Sequence, residues 1–234
     1  MGQNSTMKTK HMKTNQPAPK KEDLKVSQQS MEQNTSQDGH KIVPLDEVTP
    51  QALKDFSDLY IGKNYFSESQ LADFIMKSQK NGIQCSLALV SQNQDSKVPS
   101  QSEVLGMRLT FPPQNWDSST KKGLSVRDWP HPLNETAYFQ SLFLAPQLRG
   151  QGWGGRLSEE SIHKLLQLGV SGVVCHSWLE SPQNSSLKYL LKMGFKKIKT
   201  HPQYWSSLDY ECVRCGKPPC LCTAEEMYLD LRNL

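Results

Sequence analysis

Residues 144–157 read Leu144-Ala145-Pro146-Gln147-Leu148-Arg149-Gly150-Gln151-Gly152-Trp153-Gly154-Gly155-Arg156-Leu157, the end of an apolar strand running into a glycine-rich turn that opens a helix. Glycines at alternate positions let the main chain turn so that successive N–H groups point inward, with no Cβ between backbone and ligand. The helix that follows adds the positive end of its dipole. The stretch therefore reads as a cradle for a diphosphate carried by a cofactor.

Gly150-Gln151-Gly152-Trp153-Gly154-Gly155 also satisfies the dinucleotide fingerprint G-x-G-x-x-G. That reading needs the motif after the first strand of a long βαβ series, with an acid about 20 residues on. Glu180 stands near that position. However, about 100 residues of apparent fold precede the motif and only 79 (234 − 155) follow it, too few for such a domain. A Walker P-loop is excluded because no Gly-Lys-Ser/Thr follows the glycines.

Arg149-Gly150-Gln151-Gly152-Trp153-Gly154 resembles the R-x-x-G-x-G/A signature of the GCN5-related N-acetyltransferases, preceded as there by a strand ending in an apolar-x-Pro turn. A second block, Ser181-Pro182-Gln183-Asn184-Ser185-Ser186-Leu187-Lys188-Tyr189-Leu190-Leu191-Lys192-Met193-Gly194-Phe195, is similar to that family's later helix, which ends in K-x-G-F. The resemblance covers residues 41–200 and the last strand. It implies an α/β (α+β) fold with a mixed, mostly antiparallel central sheet of six to seven strands flanked by helices.

The first 40 residues are mostly Gln, Asn, Ser, Thr, Lys and Met without an aromatic, and bury too little apolar surface to offset their ordering entropy. They read as a disordered polar tail, leaving 41–234 as the domain. The formal net charge of +4 is mild and the tail lysines are interspersed with four acids, so nucleic-acid binding is not indicated. No apolar run reaches the length of a membrane span, and the start lacks the apolar region of a secretory signal. The expectation is a soluble, cytoplasmic protein. Met1-Gly2-Gln3-Asn4-Ser5-Thr6 matches the N-myristoylation pattern, though so short a pattern recurs by chance.

Periodicity and punctuation predict strands over 40–48, 85–90, 104–111, 136–144, 172–179, 195–198 and 226–231. Helices are predicted over 51–59, with Thr49-Pro50 at its start, over 67–79, with Ser67 and Gln70 as a capping box, and over 153–168 and 184–193. Two segments exceed what the core needs. Residues 112–135 carry four prolines, Trp116 and Trp129, and read equally as a lid over the acceptor or as a loop packed on its own aromatics. Residues 200–225 hold four of the six cysteines.

By resemblance the chain is an acyl-CoA-dependent N-acyltransferase, with acetyl-CoA as cosubstrate and an amine, small molecule or protein, as acceptor. Gly150, Gln151, Gly152, Trp153, Gly154 and Gly155 would hold the diphosphate through the main chain. Arg149 adds forked donors, and Leu142, Phe143 and Leu144 line the pantetheine arm. The family's Asn early in the later helix matches Asn184 with a one-residue shift, or else Gln183. A non-catalytic acyl-CoA-binding or protein-interaction module of the same fold, and an O-acyltransferase or a transferase of longer acyl groups, are the competing readings.

The amine must lose a proton and the departing thiolate must gain one. Candidates for these transfers are Glu135, beside Tyr138 at the start of the strand before the cradle, and His176, in the strand after it; each has a plain structural reading as well. Where the family places tyrosine, this chain has Leu190. Tyr189, next to it, points about 100° away on a helix of 3.6 residues per turn and reads as a packing residue. On that orientation Tyr189→Phe would change the chemical step less than about tenfold. A one-residue deletion within the helix would shift both positions, so Tyr189 stays among the candidates.

Cys212, Cys215, Cys220 and Cys222 form C-x2-C-x4-C-x-C within eleven residues. The pattern suits one structural Zn2+, with disulfides or free thiols and an iron–sulfur cluster as alternatives. Cys85 and Cys175, in apolar strands, read as core residues.

Overall fold

A computed structural model of the chain describes residues 36–37, 39–92 and 103–234. The acylation pattern at the start and nearly all of the expected polar tail lie outside these residues. Gln37–Leu234 form one compact unit.

Strand β1 (His40–Pro44) is shorter than predicted, because Pro44 cannot donate to a ladder and a 3-10 turn, Leu45–Glu47, follows it. Thr49 then caps α1 (Pro50–Tyr60), its side chain accepting from the Ala52 N–H, with proline at the first helical position. Ser67 and Gln70 form both halves of the capping box at the start of α2 (Glu68–Lys77). A two-residue hairpin, Gln79–Lys80 with Ile83–Gln84, occupies a stretch where no strand was predicted.

The remaining elements are β2 (Leu87–Ser91), β3 (Val104–Phe111), β4 (Thr136–Leu144), α3 (Trp153–Gln167), β5 (Gly172–Trp178), α4 (Ser185–Lys192), β6 (Lys196–His201) and β7 (Ala224–Asp230). Apart from the two-residue strand Ser36–Gln37 at one edge, the sheet runs β1-β2-β3-β4-β5-β7-β6. Every neighbouring pair in that run is antiparallel except β4 with β5. The sheet is therefore mixed and mostly antiparallel, as expected.

Helices α1 and α2 cover one face, where Leu53, Phe56 and Leu71 pack against Val43, Ala88, Met107 and Leu109. Helices α3 and α4 cover the other. Ile162, Leu165, Leu187 and Leu190 meet Ala137, Phe139, Val173, Cys175 and Met227 there, while Leu157 meets Leu87, Leu89 and Leu105. Cys85 and Cys175 lie in this core, and burial pushes both thiols up to about 12, so they stay protonated and inert.

The single parallel pair creates the feature that matters. β4 and β5 are hydrogen-bonded only from Thr136↔Gly172 to Phe139↔Cys175. Beyond that point β4 runs on to Leu144 with only β3 beside it, and β5 runs on to Trp178 with only β7. A bulge coincides with the parting, since the β3 partner jumps from Ser141 to Phe139 and leaves Gln140 over. The result is a V-shaped fork in the sheet whose open end lies beside the glycine turn.

Candidate active site

The glycine turn sits at the mouth of the fork. Gly150 (φ 81°) and Gly152 (φ 86°) take left-handed conformations, and open space surrounds the position a Cβ would occupy at each. Gly152 starts α3 without a side-chain cap, so the first-turn N–H groups of Trp153, Gly154 and Gly155 are directed outward. Gly154 serves a different end: a Cβ there would lie 3.2 Å from Leu142, so glycine lets the helix approach β4. Trp153 is buried against Leu148, Leu157 and the His40 ring, and it packs the turn onto the sheet. Arg149 and Gln151 are exposed beside the nest.

These features fit a diphosphate. Inside the fork, the β4 edge at 140–144 presents unpaired main-chain groups that an extended chain bearing amides can pair with. Leu142 and Leu144 face α3, whereas Phe143 faces the other way, edge-on to Tyr65. Asn184 lies at the start of α4, and among the described residues its Oδ1 is buried without a hydrogen-bond partner. A buried amide oxygen without a donor is a costly arrangement unless a ligand supplies one. Gln183, the alternative at this position, is exposed.

Two clusters of polar side chains flank the point where the strands part. On the α3/α4 side, Arg108 of β3 is 2 % exposed, its guanidinium 3.8 Å over the Phe139 ring. Its Nη2 donates to Ser158 Oγ at 3.0 Å and to Tyr189 Oη at 2.6 Å. Tyr189 was expected to point about 100° from the Leu190 direction and to serve packing; its hydroxyl reaches inward from α4 as far as Arg108. The reason is that α4 lies in a groove deep enough to bury an arc wider than one stripe, taking in Leu187, Leu190 and Tyr189 together. Because Arg108 is the donor in that bond, the phenol's own proton is available to another acceptor. Burial pushes the Tyr189 pKa up, so the phenol is protonated at neutral pH.

On the opposite side, His176 lies one residue beyond the last β4–β5 pair. Its Nε2 is 2.8 Å from the Gly123 carbonyl, which can only accept, so Nε2 carries the hydrogen and Nδ1 the lone pair. Tyr138 Oη and Tyr204 Oη stand 3.1 and 3.2 Å from Nδ1, and the Tyr204 ring stacks on the imidazole at 4.3 Å. Burial lowers the His176 pKa to about 4, so the ring is neutral across the physiological range. Beneath it, the fully buried Glu226 carboxylate accepts from the Ser125 N–H and Trp129 Nε1, with His201 Nε2 3.3 Å from its other oxygen.

Both long segments serve this face. Trp116 Nε1 donates to the Thr136 carbonyl and Trp129 Nε1 to Glu226, so the two tryptophans strap 112–135 across the sheet. The 200–225 segment supplies Tyr204, whose N–H donates to the Cys222 carbonyl at 3.0 Å. The four cysteine sulfurs there lie within 4.8 Å of one another. Tyr210 donates to Cys220 Sγ and meets Tyr65 edge-on at 4.9 Å, linking the knuckle to Phe143 at the fork.

Glu135 stands apart from these groups. It lies at the other end of β4, where its carboxylate accepts from Ser171 Oγ and Arg232 Nη2, each at 2.7 Å. Sequence adjacency to Tyr138 suggested otherwise, but the parallel pair closes at that end. Glu180, the acid considered for a dinucleotide, instead accepts from the Thr223 N–H with both oxygens. Arg108, Tyr204, His201 and Glu226 were not singled out from the sequence. Arg108 alone had a visible signal, a charge inside the otherwise uncharged strand Val104-Leu105-Gly106-Met107-Arg108-Leu109-Thr110-Phe111.

No protein-family model matches the chain, and no curated protein sequence does. Solved structures do match. The NatC complex bound to Gag peptide and CoA superimposes with a TM-score of 0.56 at 16% identity, over 82% of this chain and 99% of that one. YncA, a putative acetyltransferase from Salmonella typhimurium with its cofactor acetyl-CoA, gives 0.52 at 16% identity over 83% and 95%. The ribosomal-protein-S18-alanine N-acetyltransferase from Escherichia coli gives 0.50 at 15% over 82% and 94%. The chain thus has the fold of the GCN5-related N-acetyltransferases. A dinucleotide-binding fold is excluded, since the glycine motif follows an inner strand of a mostly antiparallel sheet.

Among the described residues no helix is long and apolar enough to cross a membrane.

Proposed function

We propose that this protein is an acyl-CoA-dependent N-acyltransferase that moves acetyl from acetyl-CoA to an amine by direct attack. The observation that carries the reading is the fork itself, with an anion nest at its mouth and a donor cluster and an acceptor cluster on its two faces. In this reading the amides of Gly150 and of 152–155, with Arg149, hold the diphosphate. Asn184 Oδ1 and the free edge of β4 accept and donate to the pantetheine amides. Tyr189, oriented by Arg108, protonates the departing thiolate. Tyr138, which burial keeps protonated, relays the proton of the attacking amine, received directly or through water, by passing its own phenolic proton to the His176 Nδ1 lone pair.

The same chemistry sets the kind of amine. A buried histidine lowered to about 4 is a weak base, poorly matched to an ammonium titrating near 10.4. An α-amino group, near 7.7–8.0, already has a substantial neutral fraction at neutral pH. Thiol release from acetyl-CoA across amines of graded pKa tests both parts. Release coupled to acetylated product, with turnover highest for amines near 8, is expected. Bound CoA without turnover on any amine would contradict the reading.

The cysteine knuckle is proposed to hold one structural zinc. A tetrahedron of sulfurs about 2.3 Å from zinc has edges of about 3.8 Å, and Cys222 Sγ lies 3.5 Å from Cys215 Sγ and 4.0 Å from Cys212 Sγ. Two disulfides would instead divide the set into bonded pairs at about 2.05 Å. Four thiolates leave no open position, so the ion staples the segment that carries Tyr204 rather than doing chemistry. Elemental analysis of protein purified without added metal is expected to give about one zinc per chain. Under about 0.2, with thiols that titrate freely in the folded state, would contradict it.

A further inference from the structure

Lys121, in the long 112–135 segment, takes no part in the transfer to an external amine. Its Nζ donates to Gln140 Oε1 at 2.6 Å, and Gln140 is the bulged residue at which β4 leaves β5. The same Nζ stands 4.9 Å from the centroid of the Tyr138 ring, whose hydroxyl is bonded to His176 Nδ1. The chain thus places one of its own primary amines on the acceptor face, one side chain away from the groups proposed to receive an amine's proton. We propose that Lys121 is an intramolecular acyl acceptor, so that the protein acetylates itself at this position when charged with acetyl-CoA.

The inference rests on the acyltransferase reading. The step is complete without a further reactant. Deprotonated Nζ attacks the thioester carbonyl, the C–N bond forms and the C–S bond breaks. The proton lost from nitrogen returns to the thiolate, so that an amide and free CoA thiol result. The surroundings favour the neutral amine. Desolvation comes first and the Lys77 charge second in bringing Lys121 down to about 8, while the Asp117 carboxylate opposes them. At pH 7.5 an amine near 8 has about a hundredfold or more neutral form than one near 10.4. After acetylation the cation over Tyr138 and the donation to Gln140 are both lost in their present form, and the front of the fork is filled.

The test uses the full chain, acetyl-CoA and no added amine, followed by intact mass and peptide mapping, with wild type, Lys121→Arg and Gly152→Asp in parallel. CoA binding of each protein is measured by calorimetry. Expected is one added acetyl group on wild type, mapped to Lys121, at a rate independent of protein concentration. Its rate should exceed that of any other lysine by more than about tenfold, with the group absent from Lys121→Arg and strongly slowed in Gly152→Asp. Acetylation of Lys121 at the pace of other lysines, at an equal rate in Gly152→Asp, or with second-order dependence on protein overturns the proposal. If wild type binds CoA and acetylates added amines while Lys121 stays unmodified, this inference alone falls. If wild type does not bind CoA, the acyltransferase reading falls with it.

Discussion

Gly152→Asp is expected to abolish CoA binding while leaving the fold in place. Chain neighbours aside, nothing lies within 4 Å of where its Cβ would sit, so the fold has room for the side chain beside the nest. The left-handed backbone (φ 86°) costs an L-residue about 1 kcal/mol, and aspartate tolerates it better than most. A carboxylate about 4 Å from a diphosphate charge, at an effective dielectric of about 20, is repelled by about 4 kcal/mol, close to a thousandfold in affinity. Calorimetric titration with CoA, alongside thermal unfolding, separates the two effects. Unchanged affinity in a folded variant would mean that the nest does not hold the diphosphate.

Tyr189→Phe is expected to slow the chemical step by 10²–10⁴-fold while CoA affinity is retained. The magnitude follows from the role: the thiolate leaves poorly without a proton, and Tyr189 is the phenol whose oxygen accepts from Arg108 and so keeps its own proton to give. The substitution also takes one partner from a buried guanidinium, which keeps Ser158 and the face of Phe139. That loss appears in stability, at about 1–3 kcal/mol. Single-turnover measurement is needed, because product release can mask a slower chemical step. A change within about tenfold would return Tyr189 to the packing role that helix geometry suggested.

Much of the scaffold is legible in the residues, and the reasons are local. Strands 104–111 and 136–144 end where predicted because Pro112-Pro113 stops the first and Ala145-Pro146 stops the second. Thr49-Pro50 and Ser67 with Gln70 set two helix starts by side-chain bonds that span three residues. The glycine turn was readable because its left-handed backbone at Gly150 and Gly152 is what glycine spacing encodes directly.

The flanking clusters are another matter. Arg108 and Tyr189 are 81 positions apart, and His176 meets Tyr204 through the cysteine segment, whose path no periodicity predicts. Lys121 sits in a polar loop where a lysine has no local signal, and its setting appears only when that loop crosses Tyr138. The place of Glu135, at the closed end and bonded to Ser171 and Arg232, was not legible because position along a strand does not tell which end of the β4–β5 pair opens. The inward reach of Tyr189 to Arg108 was not legible either, because an angular offset on a helix says nothing of how deeply that helix is buried.

Whether main-chain groups of the turn and of the β4 edge hold CoA in the fork is read from the amide resonances of the uniformly 15N-labelled protein as CoA is added. The largest shifts are expected on Gly150, Gly152, Trp153, Gly154 and Gly155 and on residues 140–144, with α1 and β1 little changed. Shifts confined to other parts of the sheet, or none at saturating CoA, would contradict this placement of CoA.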